Sequence, residues 1–229
     1  MKSDKNLKIS AIVPVYNNEK TVSRVLAVLL RSKYIDQVIA VNDGSRDYSL
    51  SKLKSLKNKK LKLLNLLKNH GKGAAIEKAI SLVKNPVIII VDADLYKLKR
   101  SHINSLVMSF YKSQADMVIA ARREDGGFQS IKFNPIDALS GERIFYKKNI
   151  EPVRHLLKKV NNGFEQVVNF AHKDKKVKMV YSQDIGHVLR LKRYKGKDVY
   201  KIPVSYAKEG WDLCKTALLI QLFSLSLLR

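Results

Sequence analysis

Residues 87–95, VIIIVDADL, constrain the fold more than any other stretch. Five β-branched residues in succession (Val87, Ile88, Ile89, Ile90 and Val91) follow Pro86. A run without polar alternation suits a strand buried on both faces, as in a parallel sheet covered by helices. It ends in Asp92 and Asp94, which flank the small Ala93. Residues two apart in an extended chain point to the same side, so the run places a pair of acids at the carboxyl end of a central strand. Open α/β sheets bind ligands at that end. Two neighbouring carboxylates repel unless a cation lies between them or one is protonated. Hard oxygen donors beside room for a phosphate suit Mg²⁺ or Mn²⁺. The competing reading is an Asp pair that only caps the following turn.

The chain before and after this strand keeps one rhythm. Residues 8–15, KISAIVPV, read as a first buried strand ending near Pro14. Residues 19–31 place Val22, Val25, Leu26, Leu29 and Leu30 on one helical face. Residues 36–42, DQVIAVN, form a second strand, closed by the turn Asp43-Gly44-Ser45. Ser45 or Asp47 caps a helix running to about Leu56, and residues 61–66 are a weaker third strand. Residues 69–73, NHGKG, precede a helix over 74–83. The glycines admit a ligand close to the backbone and the helix start favours an anion, but the spacing is not that of a Walker A loop. Ser101 is expected to cap a helix over 102–112, and residues 116–121, DMVIAA, form a strand ending at Arg122 and Arg123. Four strand–helix repeats and a further strand predict a doubly wound, mainly parallel α/β sheet with right-handed crossovers. Its polar clusters (17–19, Asp43, Asp92 with Asp94, and Arg122 with Arg123) then share one crevice.

From residue 124 the rhythm changes. Residues 124–134 read as a loop around Gly126-Gly127, and 138–145, ALSGERIF, as a short strand or turn carrying Glu142 and Arg143. A helix is expected over 149–160. Another follows Asn162-Gly163, with Glu165 near its start, where the helix dipole tolerates an acid. Residues 176–181 alternate like a strand, and 184–191 carry His187. The segment 210–229 is the most hydrophobic, and 216–228 carries no charge. It is too short to span a bilayer. It suits an interfacial helix with Trp211 at headgroup level, or else a core or dimer helix.

Composition narrows the classes. One cysteine, Cys214, excludes an internal disulfide framework and a cysteine-rich zinc site. The first ten residues lack the apolar core of a signal peptide. The formal charge of +24 attracts nucleic acid, anionic lipid or phosphorylated substrates, or else reflects a lysine-biased solvated surface. Nucleic acid is the disfavoured partner, because no aromatic–basic stripe or recognition helix is present.

The order ISAIVPVYNNEKTV, VIAVNDGSRD, NHGKGAAI, VIIIVDADL and MVIAARR, with ALSGERIF and NNGFE downstream, resembles family 2 of the glycosyltransferases with the GT-A fold. The likeness is nearest to the dolichyl- and polyprenyl-phosphate sugar transferases and covers about residues 8–190. It implies a catalytic domain over 1–208, with a nucleotide half at about 8–123 and an acceptor half at about 124–208, followed by a hydrophobic helix over 209–229. It implies that Pro14, Val15, Tyr16 and Glu19 hold the nucleotide, that Asp43 meets the base, and that Lys72 and Gly73 stand near it. Asp92, Ala93 and Asp94 would form the D-x-D element, with Asp94 on the metal and Asp92 on the ribose or a metal-bound water. His187 falls where related enzymes place a further metal ligand. Arg122, Arg123 and Arg143 would face phosphate or acceptor oxygens. Glu165 fits the usual base position, although Gln166 replaces the acid that commonly follows, and Glu142 competes for the role. A phosphate acceptor is already ionised and needs no base, so the missing acid leans toward one.

The resemblance thus implies a Mg²⁺- or Mn²⁺-dependent, inverting transfer of a sugar from a UDP- or GDP-linked donor to a lipid phosphate. The protein would act at the cytoplasmic face of the cell membrane, as a peripheral protein on an anionic surface. A soluble phosphorylated acceptor with retention, a non-catalytic polyanion-binding protein, and a nucleotidyltransferase are the rivals. The last is disfavoured because Tyr16-Asn17-Asn18-Glu19 stands where a glycine-rich phosphate loop is needed.

Overall fold

The computed structural model describes residues 7–122, 141–182, 186–187 and 201–226, with 122, 181–182, 186–187 and 201–209 described by their backbone alone. The first half alternates strictly: β1 (Ile9–Val15), α1 (Val22–Leu30), β2 (Ile35–Asp43), α2 (Ser49–Ser55), β3 (Leu61–Leu66), α3 (Lys72–Ile80) and β4 (Val87–Ile90). Then follow β5 (Leu95–Tyr96), α4 (Arg100–Ser113), β6 (Met117–Arg122) and β7 (Arg143–Tyr146). The second half continues with α5 (Lys147–Ile150), a 3-10 turn (Glu151–Val153), α6 (Arg154–Leu157), α7 (Phe164–Ala171), β8 (Val177–Ser182), β9 (Gly186–His187) and α8 (Lys201–Ser226).

Among the described residues the main sheet has seven strands in the order β3-β2-β1-β4-β7-β6-β8. All neighbours are parallel except at β7, which runs antiparallel to both β4 and β6. The mainly parallel α/β sheet expected from the sequence is therefore present, with one reversed strand inside it. The β-branched run behaves as its composition requires. Ile89 and Val91 pack into the layer under α1 and α4, while Ile88 and Ile90 enter the layer under α3 and α7. Residues 87–90 have no exposed surface, so both faces of the strand are covered.

Three expectations are corrected. Ser101 is not the cap of α4. The helix starts at Arg100, and His102 Nδ1 accepts from the Lys99 backbone N–H at 3.1 Å, closing the first turn without a serine. The helix expected over 149–160 is broken into α5, a 3-10 turn and α6, because Pro152 lacks the N–H that a continuous helix needs. The last helix begins at Lys201 rather than 209, since Pro203 falls in its first turn, where a missing N–H costs nothing. Among the described residues no helix is long and apolar enough to cross a membrane.

Candidate active site

The sheet ladder of β4 ends at Ile90, although the Val91 N–H still donates to Ile12 O at 3.0 Å. Asp92 and Asp94 therefore lie on the turn beyond the strand, not on its extension. That turn is pinned by the start of α1, which shares its core layer. The Thr21 hydroxyl, almost fully buried at the start of α1, donates to Ala93 O at 2.7 Å. A buried hydroxyl with a fixed acceptor holds position well, so Thr21 sets the height of the acidic turn.

Lys72 is the centre of the site. Its ammonium lies 2.7 Å from Asp92 Oδ1, 3.2 Å from Glu165 Oε1 and 4.4 Å above the ring of Phe164. Lys72 is also the first residue of α3, where the dipole disfavours a cation. Burial pulls the lysine pKa down, but Asp92 and Glu165 outweigh it, and the net shift is upward. The ammonium therefore stays protonated, held between two carboxylates at the helix N-terminus.

Arg143 and Glu142 enter on β7. Because β7 is antiparallel, its first residue pairs with Ile90, the last residue of β4. Arg143 has no exposed surface. Its guanidinium donates to Glu165 O at 3.2 Å and Asn169 Oδ1 at 2.8 Å and lies 5.4 Å over Phe164. Burial draws its pKa down, against the pull of Glu165, Glu142 and Asp92. Arg143 thus anchors the first turns of α7 and holds Glu165 in place; it does not present an open face to a phosphate. Glu142 is buried beside it. Gly141 packs so tightly on Asp92 that a Cβ would collide with the carboxylate.

The loops after β1 and β2 are sewn together. Asn17 N–H donates to Ser45 Oγ (3.1 Å), Asn18 N–H to Ser49 Oγ (2.8 Å) and Glu19 N–H to Asp47 Oδ2 (3.0 Å). In return Arg46 N–H donates to Asn17 Oδ1 (2.8 Å) and Tyr48 N–H to Glu19 Oε2 (3.0 Å). Asn17 adopts φ +55°, which its short amide side chain tolerates. Glu19 thereby serves as a loop clamp. Pro14 and Val15 complete β1, and Tyr16 stands 43% exposed at the rim. Asp43 is buried, and its two oxygens accept from the His70 and Gly71 N–H groups at 2.8 and 2.9 Å. It fixes the loop that delivers Lys72. Gly73 is demanded by packing: a Cβ there would meet Val160 O and, at 2.6 Å, Leu157 O.

Arg122 ends β6 at the same rim, described by its backbone alone, and Arg123 lies outside the described residues. His187 sits in β9, and its backbone pairs with Leu95, the residue after Asp94. The structure thus brings Lys72, Asp92, Glu142, Arg143 and Glu165 to one place. The sequence did not identify Thr21, Gly141, Phe164 or Asn169 as their supports. Only Gly141, a glycine wedged between polar residues, carried a readable signal.

Asp92, Glu142 and Glu165 surround Lys72 and Arg143, three carboxylates against two cations, so the cluster keeps an excess of negative charge that suits a divalent cation. Asp94 lies two residues on from Asp92, in the turn after β4. Among the described residues no group of three or more His, Cys, Asp or Glu side chains forms a ready cage. Mg²⁺ needs none, since it keeps waters and takes ligands from substrate phosphates.

Comparison with known proteins places this geometry. Over 132 residues the chain is 33% identical to an uncharacterised glycosyltransferase of Synechocystis sp., matching 55% of this chain and 41% of that protein. It is 28% identical over 132 residues to a dodecaprenyl-phosphate galacturonate synthase of Rhizobium johnstonii, matching 54% and 39%. The chain thus spans less than half the length of these relatives. A glucosyl-3-phosphoglycerate synthase from Mycobacterium tuberculosis, solved with Mn²⁺, UDP and phosphoglyceric acid, superposes with a TM-score of 0.68 at 16% identity, covering 95% of this chain and 80% of that one. The fold is therefore that of the GT-A nucleotide-sugar transferases. The description that matches residues 10–172 is glycosyl transferase family 2, and the chain belongs to that family.

Proposed function

We propose that this protein is a divalent-metal-dependent glycosyltransferase that moves a sugar from a nucleoside-diphosphate donor to a lipid phosphate at a membrane surface, with inversion. The observation that carries the reading is the Lys72 ammonium, held between Asp92 and Glu165 at the N-terminus of α3. This cation is the group a diphosphate would share with Asp92 and Glu165 as it gathers charge on leaving. The named polyprenyl-phosphate activity of the Rhizobium relative supports the acceptor class.

An acceptor phosphate oxygen attacks the anomeric carbon from the face opposite the leaving group. The new carbon–oxygen bond forms as the bond to the β-phosphate breaks, and the nucleoside diphosphate departs with the electron pair. An ionised phosphate brings no proton to remove. That agrees with Glu165, whose Oε1 is engaged by Lys72, and with Glu142, which is buried. Lys72 steadies the departing charge and Arg143 keeps Glu165 in register. Asp92 and Asp94 would hold the metal with the donor, and when bound it supplies further charge stabilisation to the diphosphate. Tyr16 and the clamped 17–19 loop stand where the nucleoside would lie.

A soluble phosphorylated acceptor is the second reading, motivated by the phosphoglyceric acid bound in the structural neighbour. Thermal-shift measurements with UDP and GDP, with and without Mn²⁺, are paired with transfer assays on a polyprenyl phosphate and on phosphoglycerate. Stabilisation that requires both nucleotide and metal is expected, with transfer to the lipid phosphate. Stabilisation by nucleotide that ignores metal would reject the metal-dependent mechanism. Transfer to phosphoglycerate alone would move the assignment to the soluble class.

A further inference from the structure

Helix α8 is apolar on two opposite sides. Its inner side packs on the domain: Thr216 lies against Gly163, and the Phe223 ring sits 5.2 Å from His155 and 6.1 Å from Phe170. Leu219 and Ile220 join the same core. Its outer side carries Trp211, Leu218, Leu222 and Leu225, which are 63, 57, 57 and 53% exposed. With Lys215, whose ammonium lies 5.3 Å over the Trp211 ring, they recur in steps of four and three and form one stripe about 20 Å long. A helix that is apolar all round is ordinarily buried all round, and here one side stands open.

We propose that this flank docks on an anionic lipid bilayer, with the apolar stripe entering the interface and Lys215, set within it over Trp211, pairing with lipid phosphates. Charge selects the occupant. A formal charge of +24 opposes a second copy of the chain laid on the same flank and draws an anionic surface toward it. Orientation follows from the helix start. Asn162 donates to Asp212 Oδ2 at 2.9 Å, so the Trp211 end of the stripe adjoins the loop leading to Glu165. A bilayer lying along α8 presents its headgroups beside the cleft. The inference rests on the lipid-phosphate reading and names the surface that serves it.

Trp211 is the sole tryptophan, so its emission reports the stripe directly. Phosphatidylcholine vesicles containing phosphatidylglycerol are expected to blue-shift Trp211 and to co-sediment the protein, and pure phosphatidylcholine vesicles are not. The pair Leu218→Gln and Leu222→Gln abolishes the shift. Lys215→Gln weakens binding by about fivefold. Unchanged emission with anionic vesicles, or equal binding to neutral ones, overturns the proposal. So does a blue shift that follows protein concentration without lipid and accompanies a dimer in ultracentrifugation. The thermal shift with UDP and Mn²⁺ reads a site these residues do not form. If it survives while vesicle binding is absent in the parent chain, docking fails and the transferase reading stands. If it is absent while vesicles bind, the reverse holds.

Discussion

Two carboxylates lie at the same edge of the sheet and are neutralised by different means. Asp43, at the end of β2, is satisfied by two backbone N–H groups, His70 and Gly71. Asp92, just beyond β4, is satisfied by the Lys72 side chain. Backbone dipoles are fixed by the fold, so Asp43 is a structural tie. A lysine ammonium sits on four rotatable bonds and can be exchanged for another cation or shared with a phosphate. Exposure follows the same division: Asp43 retains 2% of its surface, whereas the Asp92 side chain keeps 15%. An acid held by backbone stabilises the chain, and an acid held by a side chain is poised for a ligand.

The largest effect that tests this contrast belongs to Asp92. Asp92→Asn is expected to lower turnover on the order of 10³-fold and to erase the metal-dependent thermal shift, while urea unfolding stays within about 1 kcal/mol of the parent. Asp43→Ala should do the opposite in kind. Two backbone N–H groups, that of Gly71 buried, lose their acceptor, and stability falls by about 2 kcal/mol in urea titrations. If Asp92→Asn unfolds the chain and Asp43→Ala leaves its stability intact, the contrast is inverted and the site assignment falls with it.

Gly141→Ala sharpens the comparison further. The added methyl collides with the Asp92 carboxylate, so about a tenfold loss of turnover is expected with a small change in melting temperature. A large loss of stability instead would mean that the contact serves packing alone.

His172 extends the rule to a titrating group, with the smallest effect. The ring is buried, its Nδ1 lies 2.7 Å from Val168 O, and Nε2 lies 3.3 Å from Asn149 Nδ2. Burial is the main cause that lowers its pKa, aided by Lys175 and Arg143 and opposed by Val168 O and Asp116. The folded protein therefore binds fewer protons than the unfolded chain below the ordinary histidine value of 6.5. The contribution of the neutral ring is complete above that value and is lost as pH falls below it. Chemical denaturation between pH 5 and 8 (about the range in which histidine titrates) should show this slope, and His172→Gln should flatten it.

Much of this was legible in the chain itself. The Val and Ile runs named β1, β2 and β4, because strands covered on both faces leave no room for polar residues. The acidic turn and the NHGKG loop were visible as local patterns. What stayed hidden depends on distant pairing. Lys72 and Glu165 are 93 positions apart, and no spacing rule connects them. The reversal of β7, which makes Arg143 an interior brace rather than the expected contact to phosphate or acceptor oxygens, is decided by which strand edge the returning chain meets. Thr21 looked like an ordinary helix-start residue, and its bond to Ala93 O exists only because the start of α1 packs on the turn after β4. The start of α8 was missed because a proline in the first turn reads as a break.

The reversed strand has a consequence for how such a protein diversifies. β6 ends, and β7 begins, at the same rim, so the chain leaves and re-enters the sheet beside the acids. A connection with both its anchors at one edge can change in length or composition without shifting the ladder of any strand. A change of length between positions 122 and 141 thereby leaves the strands beside the acids in register.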